Sequence, residues 1–210
     1  MSPRPPGRSR RLPALRAHRL SLLVAAALSA GAAPAGAQPR LLTVPAVDLQ
    51  RYAGTWYEVA RLPNRFQSHC LADTSAQYTP RGDGTVAVVN RCRTNAEGEP
   101  EWDVADGLAR PVDDSNARLK VSFLPAALRW LPIGWGDYWV VELDSEYRWS
   151  VVGEPGRRYL WVLARTPSLP RETLDGILGR AREMGFPVER VMRSGDAPAP
   201  APTSMPTPPR

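Results

Sequence analysis

Two cysteines and the histidine beside the first of them are the most reactive groups after residue 37. In an oxidising compartment, an even pair such as Cys70 and Cys92 is typical of one disulfide, and closing a loop of about 23 residues contributes roughly 3 kcal/mol. The alternative is a reactive Cys70 thiol with His69 as its base. No second histidine follows residue 37, so a catalytic triad or a histidine metal site would lack a member. We therefore predict a Cys70–Cys92 disulfide, no metal site and no catalytic residue.

A tryptophan and an arginine form the second pair with recognisable chemistry. Gly54 and Trp56 stand at the start of one apolar segment, and Arg165 ends another about a hundred residues later. A guanidinium stacked on an indole contributes roughly 0.5–2 kcal/mol. These two side chains can meet only if a sheet curls back on itself. The pair predicts a closed barrel, with Gly54, Trp56 and Arg165 as structural residues.

Short apolar segments separated by turn residues are the elements that must position these groups. Eight of them occur, at residues 55–62, 71–79, 85–93, 102–109, 117–123, 138–143, 149–153 and 159–165. Their connections are mostly short. The pattern predicts an all-β fold, an eight-stranded antiparallel up-and-down barrel.

One helix follows the eighth segment. Ser168 or Leu169 is the expected cap, with Pro170 in the first turn. Gly185 and Pro187 end the helix, and residues 188–192 predict a short strand after it. A single apolar stripe indicates that the helix packs outside the barrel; its members are Leu174, Ile177, Leu178 and Ala181.

The N-terminal 37 residues have the composition of a secretory signal peptide. They contain six of the 27 basic residues and no acid, an apolar run over residues 20–33, and Ala35-Gly36-Ala37 in the pattern of a cleavage site. The apolar run is shorter than the ~20 residues of a membrane span. We expect export to the periplasm, cleavage near Ala37, and no lipoprotein-type acylation, since no cysteine lies directly after that site; association with the outer membrane is left open.

Removal of this region leaves 21 basic and 21 acidic residues. A formally neutral protein argues against nucleic-acid binding, which requires a basic face. Residues 195–210 are rich in proline and alanine and predict a disordered tail. The remaining residues, 38–194, form one predicted domain.

Residues 52–58 (Tyr-Ala-Gly-Thr-Trp-Tyr-Glu), 137–144 (Asp-Tyr-Trp-Val-Val-Glu-Leu-Asp) and 159–167 (Tyr-Leu-Trp-Val-Leu-Ala-Arg-Thr-Pro) occur in the order and spacing of one known family. They resemble the lipocalins, specifically the branch of apolipoprotein D and the bacterial lipocalins, and the resemblance extends from residue 47 to 191. It implies a barrel that is closed at one end, where Trp56 and Arg165 lie, and open at the other around an apolar cavity. It also implies a carrier of small hydrophobic molecules, which in this branch are fatty acids and lysophospholipids.

The resemblance further implies a set of ligand contacts. Residues at positions that match ligand contacts of apolipoprotein D are Tyr52, Tyr78, Asn90, Phe123, Trp139, Trp161 and Leu163. Aromatic residues at strand spacing also occur in filled cores, which is the alternative. The family pattern favours an open pocket with aromatic walls and a few polar groups.

Two loops are expected at the open end. The 124–136 loop contains an unusual cluster of apolar residues, Leu128, Trp130, Leu131, Ile133 and Trp135. This cluster predicts a lid, a membrane-surface contact or a homodimer contact, and we favour the first two. Arg157 and Arg158, between the last two strands, suit a carboxylate or phosphate headgroup; a solvated turn is the alternative.

Together these features predict an exported carrier, without a cofactor, that holds a fatty acid or lysophospholipid for lipid storage, transport and envelope maintenance. A lipocalin-type enzyme acting on a small hydrophobic substrate is one alternative, with Glu58 as the best acid–base candidate if Cys70 is oxidised. A haem or pigment carrier is another, for which His69 offers the axial nitrogen.

Overall fold

The computed structural model describes residues 39–95 and 98–194. Within these ranges lie the helices α1 (Leu49–Tyr52) and α2 (Arg171–Glu183), and the strands β1 (Gly54–Arg61), β2 (Ala72–Pro80), β3 (Val86–Arg93), β4 (Trp102–Pro111), β5 (Arg118–Ser122), β6 (Gly136–Leu143), β7 (Trp149–Gly153), β8 (Leu160–Ala164) and β9 (Met192–Arg193). The predicted signal peptide and C-terminal tail lie outside the described residues. In the part that is described, no helix combines the length and apolar character that a membrane crossing requires.

Strand β1 closes the barrel because it pairs antiparallel with a strand on each side. Trp56 lies opposite Ala76 of β2, and Glu58 lies opposite Leu163 of β8. Strands β2 to β8 pair in chain order. The predicted eight-stranded antiparallel up-and-down barrel is confirmed.

The segment after α2 differs from the prediction. Residues 188–192 were expected to form a strand, but Val188–Arg190 is a 3-10 helix and only Met192–Arg193 pairs, as β9. Pairing of β1 with β2 ends at Tyr57, which leaves the second half of β1 without a partner on that side. Strand β9 occupies this free edge, where Arg193 lies opposite Ala60.

Helix α2 packs on the outside of the barrel, as predicted. It begins at Arg171, after the N-cap Pro170; the expected cap at Ser168 or Leu169 was therefore placed one or two residues too early. Gly185 follows the helix with φ +89°, a left-handed conformation that an L side chain rarely adopts. The predicted apolar stripe is buried against outward-facing side chains of the barrel and consists of Leu174, Ile177, Leu178 and Ala181.

The closed end is sealed by α1, a short helix that was not predicted. Asp48 caps it by accepting hydrogen bonds from the backbone N–H groups of Gln50 and Arg51. Below it, the indole of fully buried Trp56 donates to the Tyr52 carbonyl at 2.8 Å. Because α1 brings that carbonyl over the barrel, the buried indole N–H has a hydrogen-bond acceptor within the protein.

Arg165 completes this end of the barrel. Its Cζ lies 3.9 Å from the centroid of the Trp56 ring. Its guanidinium donates to the carbonyls of Thr55 and Arg51 at 2.9 and 2.7 Å. Gly54 has φ +94°, and a Cβ there would lie 3.4 Å from Arg165 Nη1. That distance would be an ordinary contact, so the positive φ, and not the space, is what favours glycine at this position.

Candidate functional site

A cavity of about 730 Å³ lies inside the barrel. This volume falls within the range of small-ligand sites, so the inward-facing side chains leave the interior open. The loops on the side opposite Trp56 contribute to its lining and form its mouth. Most of the wall surface is apolar, and its aliphatic members include Ala76, Val86, Val88, Ala109, Leu119, Val140, Val152 and Leu163.

Three tyrosines form the floor of the cavity. The Tyr52 hydroxyl donates to Ser150 Oγ at 3.0 Å, and the Tyr138 hydroxyl lies 3.0 Å from both the Tyr52 and the Tyr78 hydroxyls. Burial raises the pKa of all three phenols. The floor is therefore uncharged at physiological pH, as an apolar ligand requires.

A chain of polar contacts stands on the wall nearer the mouth. Glu58 accepts from Arg61 Nη1 at 2.5 Å and from Gln67 Nε2 at 2.6 Å. Trp161 Nε1 donates to Gln67 Oε1 at 2.8 Å. Both carboxylate oxygens of Glu58 are engaged, and its side chain is 3% exposed. Glu58 is thus half of a buried ion pair and orients Gln67 and Trp161.

Asn90 is a polar residue of the wall whose side-chain oxygen is itself covered by protein atoms. It lines the wall, and its Oδ1 is buried without a hydrogen-bond partner among the described residues. Buried polar atoms in proteins are nearly always paired. Asn90 is therefore the one cavity-lining residue of the described chain whose buried side-chain oxygen lacks a donor.

The structure brings most of the predicted ligand residues together. Those that line the cavity are Tyr52, Tyr78, Asn90, Phe123, Trp161, Leu163 and Arg158. Phe123 lies against Gly107, where a Cβ would stand 2.7 Å from its ring. The glycine allows the Phe123 ring to lie across the wall near the mouth.

Trp139 was predicted to contact the ligand, but it does not face the cavity. It packs against the outer apolar cluster that contains α2, while its neighbours Tyr138 and Val140 line the interior. A register shift between Val140 and Glu142 also interrupts strict alternation along β6. Both faces of β6 are apolar because α2 covers the outer one, so the sequence pattern did not show which face lies inside. Tyr138 was missed for the same reason.

Arg157 was also predicted to contact the ligand, and the structure places it elsewhere. It is buried, with φ +57°, and its guanidinium donates to the carbonyls of Met184 and Pro39. It therefore ties the end of α2 to the N-terminal segment and has no place at the cavity. Arg158, by contrast, has a 76% exposed side chain, lies 3.8 Å from Glu154, and contributes to the lining.

The 124–136 loop divides into two parts. Leu124 and Trp135 line the cavity, and the Trp135 indole donates to the Arg129 carbonyl at 3.0 Å. Trp130 and Ile133 are 77% and 68% exposed. The base of the loop thus forms part of the mouth, while its tip presents large apolar side chains to solvent.

The predicted disulfide is confirmed. Cys70 and Cys92 are bonded and both line the cavity near its mouth. The bond fixes the segment after β1 to β3. His69 lies 2.9 Å from Asp103 and is exposed. Because both neighbouring sulfurs are in the disulfide, the His69, Cys70 and Cys92 group offers no thiolate for a metal ion.

Residues 47–196 match the family model described as a lipocalin-like domain. That match spans well over half of the chain. The chain belongs to the lipocalin family. The resemblance read from the three sequence segments is therefore confirmed, including its bacterial and apolipoprotein D-like branch.

Several relatives of this lipocalin align over most of its length. The temperature-induced lipocalin-1 of Arabidopsis thaliana is 35% identical over 75% of this chain and 83% of its own. The outer membrane lipoprotein Blc of Escherichia coli is 37% identical over 82% of this chain and 94% of its own. Apolipoprotein D of Macaca fascicularis is 31% identical over 61% and 66%.

Solved structures show the same fold at much lower identity. Insecticyanin from Manduca sexta superposes with a TM-score of 0.59 at 18% identity, covering 76% of this chain and 86% of that one. Lobster apocrustacyanin A1 gives 0.52 at 11% identity, covering 69% and 77%. These likenesses support the barrel architecture independently of the sequence match.

Proposed function

We propose that this lipocalin is an exported carrier that holds one fatty acid or lysophospholipid in its barrel cavity. The observation that carries the proposal is the open interior, about 730 Å³ with a mainly apolar wall and a neutral floor. Apolar lining with a few placed polar groups is the usual chemistry of a small-ligand site. Lipid storage, transport and maintenance of the cell envelope are the roles that such a carrier would serve.

The energetics suit a single hydrocarbon chain. Burial of each methylene contributes about 0.8 kcal/mol, so about fifteen methylenes contribute roughly 12 kcal/mol. Association costs of roughly 4 kcal/mol or more oppose this gain. The remaining ~8 kcal/mol or less corresponds to micromolar or weaker binding, which permits both uptake and release.

Native mass spectrometry of protein purified from its own envelope, followed by lipid extraction, tests the carrier function. We expect a co-purifying fatty acid or lysophospholipid. Leu163→Trp, which narrows the cavity, should lower the amount of that lipid while the barrel stays folded by circular dichroism. Protein that carries no lipid and binds neither class in titration would overturn the proposal.

We place the headgroup of the bound lipid beside Arg158. Its exposed guanidinium is at the mouth, and an arginine binds carboxylate and phosphate oxygens by paired hydrogen bonds. Arg158→Ala should weaken lysophospholipid binding by roughly 3- to 10-fold. Arg171→Ala, at an exposed arginine of α2, is the matched control. Equal affinities for wild type and Arg158→Ala would reject this placement.

We further propose that the tip of the 124–136 loop contacts a membrane surface. Trp130 and Ile133 are exposed at the mouth through which a lipid must enter, and large exposed apolar groups mark contact sites. Trp130→Ser with Ile133→Ser should lower binding to vesicles of phosphatidylethanolamine and phosphatidylglycerol at least tenfold. Val112→Ser, a 56% exposed apolar residue outside the loop, serves as the control. Unchanged vesicle binding would reject the membrane contact. If the double variant instead loses a dimer that wild type forms in sedimentation, the loop tip is a homodimer contact.

The same proposal places the protein in the periplasm, with residues 1–37 removed as a signal peptide. Relatives named as outer membrane lipoproteins support an envelope location. No cysteine lies directly after Ala37, which supports release rather than acylation at that site. N-terminal sequencing of the periplasmic fraction should give a chain that starts near Gln38.

Neither alternative function is favoured by the site. Cys70 is in a disulfide, and the Glu58 carboxylate is occupied by Arg61 and Gln67, so we propose no enzymatic role. His69 is paired with Asp103 and is not part of the cavity lining. A haem or pigment ligand therefore has no support from its position.

A further inference from the structure

Four side chains of metal-ligating type meet beside the mouth of the cavity. His69 and Cys70 belong to the segment after β1, Cys92 lies near the end of β3, and Asp103 lies near the start of β4. The ligand atoms of His69, Cys70 and Cys92 all lie within 4.8 Å of one another. The barrel therefore brings two sulfurs and an imidazole together from two separate parts of the chain.

Asp103 adds a fourth donor atom to this group. It lies directly opposite Cys92 in the ladder between β3 and β4, so the two side chains share one face of the sheet. Its Oδ2 lies 2.9 Å from His69 Nε2, and the same nitrogen lies 3.9 Å from Cys70 Sγ. Zinc bonds of ~2.0–2.3 Å place the donors of a tetrahedral site roughly 3.3–3.8 Å apart. Both separations are close to that range, so small side-chain rotations suffice to bring these donors to one ion.

The disulfide withholds both sulfurs from a metal ion in the oxidised protein. A dithiol reductant supplies two electrons and two protons: the S–S bond breaks, Cys70 and Cys92 become thiols, and the reductant closes into its own disulfide. The thiolate is the ligand, so binding of Zn²⁺ then releases one proton from each thiol. Cys92 is still held by β3, and the Cys70 N–H by the Gln67 carbonyl at 3.1 Å. Reduction therefore frees the sulfurs without removing the backbone contacts that place them.

We propose that reduction converts the disulfide into a zinc site, in which the Cys70 and Cys92 thiolates, His69 Nε2 and Asp103 Oδ2 hold one Zn²⁺. Thiolate and imidazole ligands favour zinc over Mg²⁺ and Ca²⁺. The side chains of His69 and Asp103 are 48% and 51% exposed, so an ion reaches them from solvent. The bound ion replaces the disulfide as the link between the segment after β1 and β3, and adds a link to β4. This inference does not depend on which ligand the cavity holds.

Cobalt titration of the reduced full-length protein tests the site. The protein is reduced with a phosphine, which adds no competing thiol, and desalted without oxygen. We expect one Co²⁺ per chain, with a thiolate-to-cobalt charge-transfer band and the strong visible bands of tetrahedral cobalt, and loss of both when Zn²⁺ is added. Free zinc at 100 times its Kd should raise the Tm of the reduced protein by roughly 5–10 °C. The oxidised protein should show neither the bands nor the rise in Tm.

Variants assign the ligands. Cys70→Ser with Cys92→Ser should abolish the charge-transfer band. Asp103→Asn should weaken zinc binding to the reduced protein by at least roughly tenfold, and His69→Ala by at least roughly 100-fold. Asp73→Asn is the matched control, because Asp73 is an exposed acid of β2 that pairs with Arg93. It should leave the zinc affinity unchanged.

The results distinguish a folded site from two thiols that bind metal in an unfolded chain. His69 and Cys70 are adjacent in sequence, but Asp103 joins them only in the barrel. Absence of the charge-transfer band in reduced wild type would overturn the inference, as would zinc affinities that are equal in wild type, His69→Ala and Asp103→Asn. If reduction alone unfolds the barrel, zinc should restore its circular dichroism spectrum, and a spectrum that stays unfolded with zinc would also overturn it.

Discussion

Replacement of Trp56 by alanine should destabilise the protein severely while leaving lipid binding nearly intact. The side chain is fully buried, stacks on Tyr52 at a centroid distance of 4.7 Å, and supports the Arg165 guanidinium. Truncation of a buried tryptophan costs roughly 3–5 kcal/mol. In a domain of this size each kcal/mol corresponds to roughly 2–4 °C in Tm. We therefore expect Tm to fall by roughly 6–20 °C.

Lipid binding should change little in the same variant, because Trp56 does not line the cavity. The assay is thermal unfolding by circular dichroism together with lipid titration at 15 °C, where the variant is still folded. Arg165→Met is the matched variant, and a double-mutant cycle should give a coupling of roughly 0.5–2 kcal/mol between the two positions. Wild-type stability combined with lost binding would refute the assignment of Trp56 to the closed end.

Two further predictions concern stability. Cys70→Ser with Cys92→Ser should lower the free energy of unfolding by roughly 3 kcal/mol, and a reducing agent should then affect wild type but not the variant; identical unfolding curves would contradict this. Hydrogen bonds from the Arg148 guanidinium lower the pKa of Asp144 to about 2, so its stabilising contribution is complete above about pH 4 and lost as the pH falls towards 2. Asp144→Asn should flatten the acid limb of the Tm–pH curve in that interval, and an unchanged limb would show that other carboxylates determine it.

The sequence predicted the features that depend on local pattern. Alternating apolar segments and turn residues placed the eight barrel strands within a few residues of their observed bounds. The spacing of Leu174, Ile177, Leu178 and Ala181 identified the face of α2 that is buried. The disulfide followed from the presence of one cysteine pair. Each of these rests on composition or periodicity, which are properties of the linear chain.

The errors occurred where two environments look alike in sequence. The two faces of β6 are both apolar, since one faces the cavity and the other faces α2, and this led to Trp139 in place of Tyr138. Arg157 and Arg158 are adjacent and chemically identical. A left-handed backbone at Arg157 turns its side chain towards Pro39 and Met184, whereas Arg158 stays at the mouth.

The sequence by itself determined that a barrel forms, because strand alternation and the positions of Trp56 and Arg165 depend only on the order of residues along the chain. Only the tertiary structure decided that the interior stays open and which polar atoms face it. Cavity volume and hydrogen-bond direction depend on how strands from distant parts of the chain meet around a common axis. The hydrogen-bonded contacts of Tyr52, Tyr78 and Tyr138 on the cavity floor exist only in that arrangement.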